Sequence, residues 1–262
     1  MTTGVIYAVG ASYAPRLVVS LHGLRTKANY SGPITILSVS PEAAEIAEQI
    51  KADEALNVEH LEIRKVQSDY QGTLATKTLL PAFTPYDVSL FIDADTLPVA
   101  SIDELLTKAE EYPLVLTRFA NQQFPDDVQD KNKDWSHLRP TVDPNHKFAS
   151  RAPVINTGIF GFHRSFTKLA NWASLAMRGI DLPVPDEMAM QLLLPTFDDK
   201  ELEILDDRWN CSPRIGVNRD QVAIWHFHSN SHRDPNEVSR GWRKAFQRVI
   251  ADNAGKICDW LV

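Results

Sequence analysis

Ser89-Leu90-Phe91-Ile92-Asp93-Ala94-Asp95-Thr96-Leu97 reads as a buried strand that runs out into two carboxylates one residue apart. The apolar run predicts a core strand over Val88 to Ile92. Unpaired carboxylates are too costly to bury, so Asp93 and Asp95 must meet solvent, cations or hydrogen-bond donors where the strand ends. Open α/β sheets hold ligands at that carboxyl edge, where a hard divalent cation can bridge paired carboxylates to a phosphate. The pattern points to nucleotide chemistry. A bare D-x-D is also the polar cap of an ordinary strand, so the rest of the chain has to decide between the two.

Before this strand, Val5 to Val9 reads as a first strand, and Ser12 is placed to cap a helix carrying Leu17, Val18, Leu21 and Leu24 at helical spacing. Ile34 to Val39 is a second strand, Ser40-Pro41-Glu42 opens a second helix, Val58 to Val66 is a third strand, and Thr73 to Leu80 is helical. Strands alternating with helices imply a parallel sheet.

After it, Ser101 with Glu104 forms a capping box for a helix through Glu110, and Leu114 to Leu116 is a short strand. Asn121 to Arg151 is polar and irregular, with Asp126, Asp127, Asp130, Asp134, Pro140 and a turn at Asp143-Pro144-Asn145. Such a stretch is a lid, a binding loop or an insertion. Val154 to Phe162 is a strand, Ser165 to Met177 and Asp186 to Leu194 are helices, and Leu202 to Leu205 and Val222 to His228 are strands. Pro235 to Leu261 is mostly helical, with Trp242, Phe246 and Ile250 on one face. The expected organisation is one domain over residues 1–262, nucleotide-binding to about residue 97 and shaping a mixed-sheet acceptor half from about residue 98.

Composition narrows the class. With 262 residues, 44% hydrophobic and 23% charged, the chain can bury a full core, which excludes a disordered protein. A net charge of -7 without a basic stripe argues against nucleic acid as a partner. No stretch approaches the ~20 apolar residues of a membrane span, so no transmembrane segment is expected. Met1 to Val9 fits a first strand better than a signal peptide, and Cys211 and Cys258 form no C-x-x-C, which suggests free thiols in a reducing compartment. The expected location is cytoplasmic, and a homodimer is left open.

Three further constellations carry chemistry. Val154-Ile155-Asn156-Thr157-Gly158-Ile159 sets polar residues inside an apolar strand, and a buried amide needs partners, either backbone groups at a bulge beside Gly158 or a ligand's hydroxyls. Asp186-Glu187 opens a helix, where acids complement the dipole or hold a sugar. Ile224-Trp225-His226-Phe227-His228 puts two histidines on one strand face, followed by His232 and Arg233, which suits a cation site beside a phosphate clamp. The zinc-hydrolase pattern H-x-H-x-D-H fails here, because Ser231 stands where its Asp belongs and His232 comes one residue late.

The ordered set resembles the retaining glycosyltransferases of family 8, the glycogenin-like and galactosyltransferase group with a GT-A fold. It comprises a Tyr-bearing first-strand turn, Lys77 sixteen residues before Asp93, an Asn-Thr-Gly strand, an Asp-Glu helix start and a His-Phe-His strand, running from about Tyr7 to Arg233. The resemblance implies an α/β fold with a mostly parallel Rossmann-like sheet. It implies a UDP-sugar donor, an unknown saccharide, protein or small-molecule acceptor, and manganese or magnesium bound by Asp93, Asp95 and His226. It further implies that Ala8, Val9 and Tyr13 receive the uracil base, that Ala94 lies near the ribose, and that Lys77 lies near the phosphates and sugar. Asn156 and Thr157 would meet the donor sugar, and Asp186 and Glu187 would stand at the reacting centre. Departures are Glu187 for the family's Gln, Leu182-Pro183-Val184 for its Asp-Gly-Gly, and Ser229 and His232 for its Gly and Lys. Arg233 or a protonated His232 would then substitute in the diphosphate clamp.

Three other readings compete. A haloacid-dehalogenase-like phosphatase also uses D-x-D, but wants Thr or Val where Leu97 stands and usually places the motif first in the chain. A sugar nucleotidyltransferase wants a glycine-rich phosphate loop and a basic run near Gly10, which are absent. A GT-A-shaped binding module without turnover would lack a metal ligand or the helix-start Asp, and both are present.

Overall fold

The computed structural model describes residues 1–10, 13–63, 70–118, 135, 137–138, 153–211 and 221–227. Its main sheet contains β1 (Thr3–Val9), β2 (Ile34–Ser38), β3 (Val58–Glu62), β4 (Val88–Ile92), β6 (Leu114–Arg118), β7 (Ile155–His163) and β8 (Leu202–Leu205). The order across the sheet is β3-β2-β1-β4-β7-β6-β8. β1, β2, β3 and β4 pair in parallel, as do β6 and β8, whereas β7 runs antiparallel between β4 and β6. The fold is α/β with a mostly parallel sheet.

Side-chain alternation along the strands feeds two cores. Val5, Tyr7, Val9, Leu90 and Ile92 face one layer, where α1 (Ala14–Thr26), α2 (Pro41–Lys51) and α5 (Asp103–Glu111) contribute Leu17, Ile50 and Leu105. Ile6, Phe91, Phe160 and Phe162 face the other, packed by Trp172 of α6 (Leu169–Arg178) and Met188 of α7 (Pro185–Leu193). Every residue of β2 and β4 is buried, as expected of strands covered on both faces.

Several boundaries differ from the sequence reading for identifiable reasons. The N-cap of α1 is Tyr13, without a side-chain cap bond and with proline in the first turn, instead of Ser12, which lies outside the described residues. The helix expected over Thr73 to Leu80 is instead α3 (Tyr70–Lys77) followed by α4 (Leu80–Phe83). Pro81 cannot donate to the Lys77 carbonyl and crowds it, so α3 stops there. The capping box before α5 does not form. Ser101 Oγ accepts from the Asp103 N–H at 3.1 Å, while the Glu104 carboxylate pairs with Arg208. α6 begins at Leu169, since Ser165 to Lys168 form tight turns, with Phe166 N–H donating to the His163 carbonyl. Ser40 does cap α2, accepting from the Ala43 N–H at 3.2 Å.

A second, two-stranded sheet pairs β5 (Thr96–Pro98) with β9 (Ile224–His226) in antiparallel fashion. β5 has no counterpart in the sequence reading, and β9 is shorter than the strand expected to reach His228. His228, most of the Asn121 to Arg151 stretch and the tail from Pro235 lie outside the described residues. Among the described residues no helix is long and apolar enough to cross a membrane.

Candidate functional site

The turn after β4 is fixed from both sides. The Asp93 N–H donates to the Gly158 carbonyl at 2.7 Å, and the Thr96 hydroxyl donates to the Asp93 carbonyl at 2.8 Å. With its proton committed, Thr96 accepts from Ser20 at 2.8 Å, and Ser20 accepts from the Tyr7 phenol at 2.9 Å. This buried hydroxyl chain ties the turn to β1 and α1.

Pairing of β5 with β9 sets His226 opposite Thr96 and so beside the two acids. His226 Nε2 lies 3.2 Å from Asp95 Oδ1 and 3.7 Å from Asp93 Oδ2. One ligand atom from each of the three residues falls within 4.8 Å of the others. Two carboxylates and an imidazole suit manganese or magnesium in the open, oxygen-rich style of a catalytic site.

Cations flank the acids. Lys77 Nζ is 2.8 Å from Asp93 Oδ2 and 3.5 Å from Asp186 Oδ2. Arg16 reaches Asp95 Oδ2 at 3.5 Å, with its guanidinium 4.9 Å from the centre of the Tyr13 ring. Burial pushes the Asp93 carboxyl up to about 6, opposed by Lys77 and assisted by the Asp95 charge. Burial also acts to raise Asp95, but His226, by charge and hydrogen bond, with Arg16 and Lys77, holds it well below the usual carboxylate range. Burial acts to lower His226, yet Asp95 and Asp93 outweigh it and hold the imidazole above its ordinary value.

The far wall comes from β7 and the start of α7. Asp186 is buried and accepts the Thr157 hydroxyl on Oδ2 at 2.7 Å, while its Oδ1 has no partner among the described residues. Trp172 Nε1 holds the Asp186 carbonyl at 2.8 Å. Val184 precedes α7 with φ 45° and ψ 63°, left-handed backbone that a β-branched residue adopts only when its surroundings impose it. Such strain is typical of residues that aim a functional group. Asn156 Nδ2 donates to Glu187 Oε1 at 2.5 Å, and its Oδ1 accepts the Gly158 N–H at 2.9 Å. Asn156 sits at a break in the ladder, where the register opposite β6 shifts between Leu116 and Thr117.

Together these residues line a cleft open to solvent. Its lining includes Ala8 and Tyr13 from β1 and the α1 cap, Asp93, Ala94, Asp95 and His226 around the β4 turn, and Lys77, Asn156, Asp186 and Glu187. Val9 is buried outside this lining, and Thr157 backs Asp186 instead of lining the cleft. Ser229, His232 and Arg233 lie outside the described residues. Sequence reasoning missed Gly10, Thr73, Leu74 and Val184 in the lining, and two residues that contact it, Arg16 beside Asp95 and Asn210 beside His226. Arg16 stands three residues after Tyr13, a helical spacing that would have flagged it, whereas Asn210 carried no local signal. Among the described residues, with His226 neutral, four carboxylates (Asp93, Asp95, Asp186, Glu187) stand against two cations (Lys77, Arg16), a net charge of -2. An anionic ligand would meet repulsion there unless a cation came with it.

No protein-family model matches the chain, and no curated protein matches it. Solved structures do. The galactosyltransferase LgtC in complex with donor and acceptor sugar analogs superposes with a TM-score of 0.65 at 14% identity, covering 98% of this chain and 99% of that one. Mouse xyloside xylosyltransferase 1 matches with a TM-score of 0.55 at 13% identity, over 86% of this chain and 96% of the other. The glycosyltransferase GlyE of Streptococcus pneumoniae TIGR4 matches with a TM-score of 0.61 at 14% identity, over 97% of this chain and 64% of that one. The chain has the GT-A glycosyltransferase fold.

Proposed function

We propose that this chain is a metal-dependent glycosyltransferase that moves a hexose from a UDP-sugar to an acceptor with retention of anomeric configuration. The observation that carries the reading is the pairing of two features in one cleft. Asp93, Asp95 and His226 converge within 4.8 Å in its lining, and Asp186 joins them with a buried oxygen that has no partner among the described residues.

The donor set fits a manganese or magnesium ion, since hard carboxylate oxygens dominate it and carboxylates outnumber cations among the described residues of the cleft. Such an ion, once bound, supplies Lewis-acid neutralisation of the charge that develops on a departing diphosphate. In this reading Tyr13 stacks on the base between Ala8 and Arg16, and Val9 supports that wall from behind. Ala94 offers backbone to the ribose. Lys77 is placed to neutralise phosphate oxygens or a sugar hydroxyl. Asp186 orients sugar hydroxyls and stabilises positive charge at the anomeric carbon, with Thr157 holding its other oxygen. Glu187, braced by Asn156, accepts hydrogen bonds from the sugar or the incoming acceptor. Ser229, His232 and Arg233 are assigned to the diphosphate clamp by resemblance alone. The chain works as one domain, nucleotide-binding to about residue 97 and acceptor-shaping beyond it.

Screening UDP-sugars for manganese-dependent hydrolysis tests the reading. Release of UDP from one of them supports it. Hydrolysis of none, with phosphomonoesterase activity in its place, would move the assignment to a dehalogenase-like phosphatase.

A further inference from the structure

Asn210 is buried, lies between Trp209 and Cys211, and belongs to none of the motifs above. Its carboxamide touches groups on three strands or turns, and their hydrogen-bond roles follow from two backbone groups that have only one role each. The Gly158 N–H can only donate, and it meets Asn156 Oδ1 at 2.9 Å, so Asn156 presents oxygen there and Nδ2 to Glu187. The Ile159 carbonyl can only accept, and it takes the Thr117 hydroxyl proton at 3.0 Å. Asn156 Oδ1 and Thr117 Oγ1 are therefore acceptors for a third group. Asn210 Nδ2 donates to both, each at 2.9 Å. Asn210 must then turn Oδ1 toward His226, whose Nδ1 lies 2.7 Å away and has to carry the proton. That leaves Nε2 as the nitrogen facing Asp95 and Asp93. Gly158 also admits the ring, since a Cβ at that position would overlap His226.

We infer that Asn210 is a positioning residue that holds His226 as the Nδ1–H tautomer, aims its Nε2 lone pair at the cation, and joins the metal end of the cleft to Asn156 and Glu187 at the sugar end. This role rests on the metal reading of the site. Second partners of metal-bound histidines are typically worth 10–100-fold in metal affinity.

Two variants separate the two ends of the relay. Asn210→Leu removes the acceptor for Nδ1–H, and manganese binding measured by calorimetry should weaken ~10–100-fold. Asn210→Asp keeps that acceptor but cannot donate to Asn156, so manganese affinity should recover to within a few-fold of wild type while turnover stays impaired. In wild-type protein loaded with diamagnetic magnesium, nitrogen-15 spectra of the histidine that is lost in His226→Gln should show a protonated Nδ1 and an unprotonated Nε2. A proton on Nε2 in that spectrum, or wild-type manganese affinity in Asn210→Leu, would overturn the role. Failure of wild-type protein to bind either ion would overturn the metal reading itself and this role with it.

Discussion

Thr96 stands directly opposite His226 across β5 and β9, and this register, between residues far apart in the chain, carries the histidine to the Asp93–Asp95 turn. The same Thr96 hydroxyl holds the Asp93 carbonyl and receives Ser20. Thr96→Val therefore leaves a buried hydroxyl and a carbonyl unpaired and should cost about 1–3 kcal/mol in urea unfolding. It should also weaken manganese binding, because the turn loses its brace. Unchanged stability and affinity would show that the hydroxyl chain does not support the turn.

Lys77 bridges Asp93 and Asp186. Replacing it in Lys77→Met leaves both carboxylates without their cation and should cost about 3 kcal/mol in metal-free protein, as expected when one partner of a buried pair is removed. Manganese should restore part of that loss. Turnover of the donor should fall ~100-fold, the usual effect of deleting one charge-stabilising group from a reacting centre. Steady-state kinetics with wild-type rates would remove Lys77 from the site.

The pH dependence of metal binding follows from two raised groups. Asp93 is pushed up to about 6, and His226 is held above its ordinary value. In metal-free protein both favour the protonated form when folded. The stability they contribute is present at low pH and lost as pH rises through about 6 for Asp93 and through the raised His226 value. Asp95 has the opposite sign, but its depressed value acts only below the ordinary carboxylate range. Manganese needs Asp93 ionised and Nε2 unprotonated, so its apparent Kd should weaken about tenfold between pH 7 and pH 5 from Asp93 alone. The gain in Tm on adding manganese should grow over the same interval as pH rises. A Kd independent of pH would contradict binding at these residues.

Asp186 lines the cleft with Thr157 holding its Oδ2, and its buried Oδ1 has no partner among the described residues. Asp186→Asn should lower kcat by about 10²–10³-fold, as loss of electrostatic stabilisation at a reacting centre does. UDP affinity in the presence of manganese should stay within a few-fold of wild type. A variant that loses UDP binding but not kcat would place Asp186 with the nucleotide and not with the sugar.

The central strands β1, β2, β4, β6 and β7 were legible because strands buried on both faces read as apolar runs, and β4 matches its sequence reading residue for residue. The candidate site was legible wherever a polar residue interrupted such a run, as at Asp93, Asn156 and His226. Three-residue strands such as β5 have no periodicity to read, so the pairing that places His226 came only from the fold. The capping box at Ser101 and Glu104 failed because Arg208, 104 residues away, competes for the Glu104 carboxylate. Asn210 is invisible locally because its partners, Thr117, Asn156 and His226, come from three separate strands.

In the proposed function the Asp93–Asp95 pair binds a metal that in turn holds a nucleoside diphosphate. Calorimetric titration of UDP into wild-type protein and into the Asp93→Asn, Asp95→Asn double variant, each with and without manganese, is the decisive measurement. Manganese-dependent binding in the wild type that disappears in the double variant is the expected result. UDP binding of equal strength and equal manganese dependence in both proteins would contradict it.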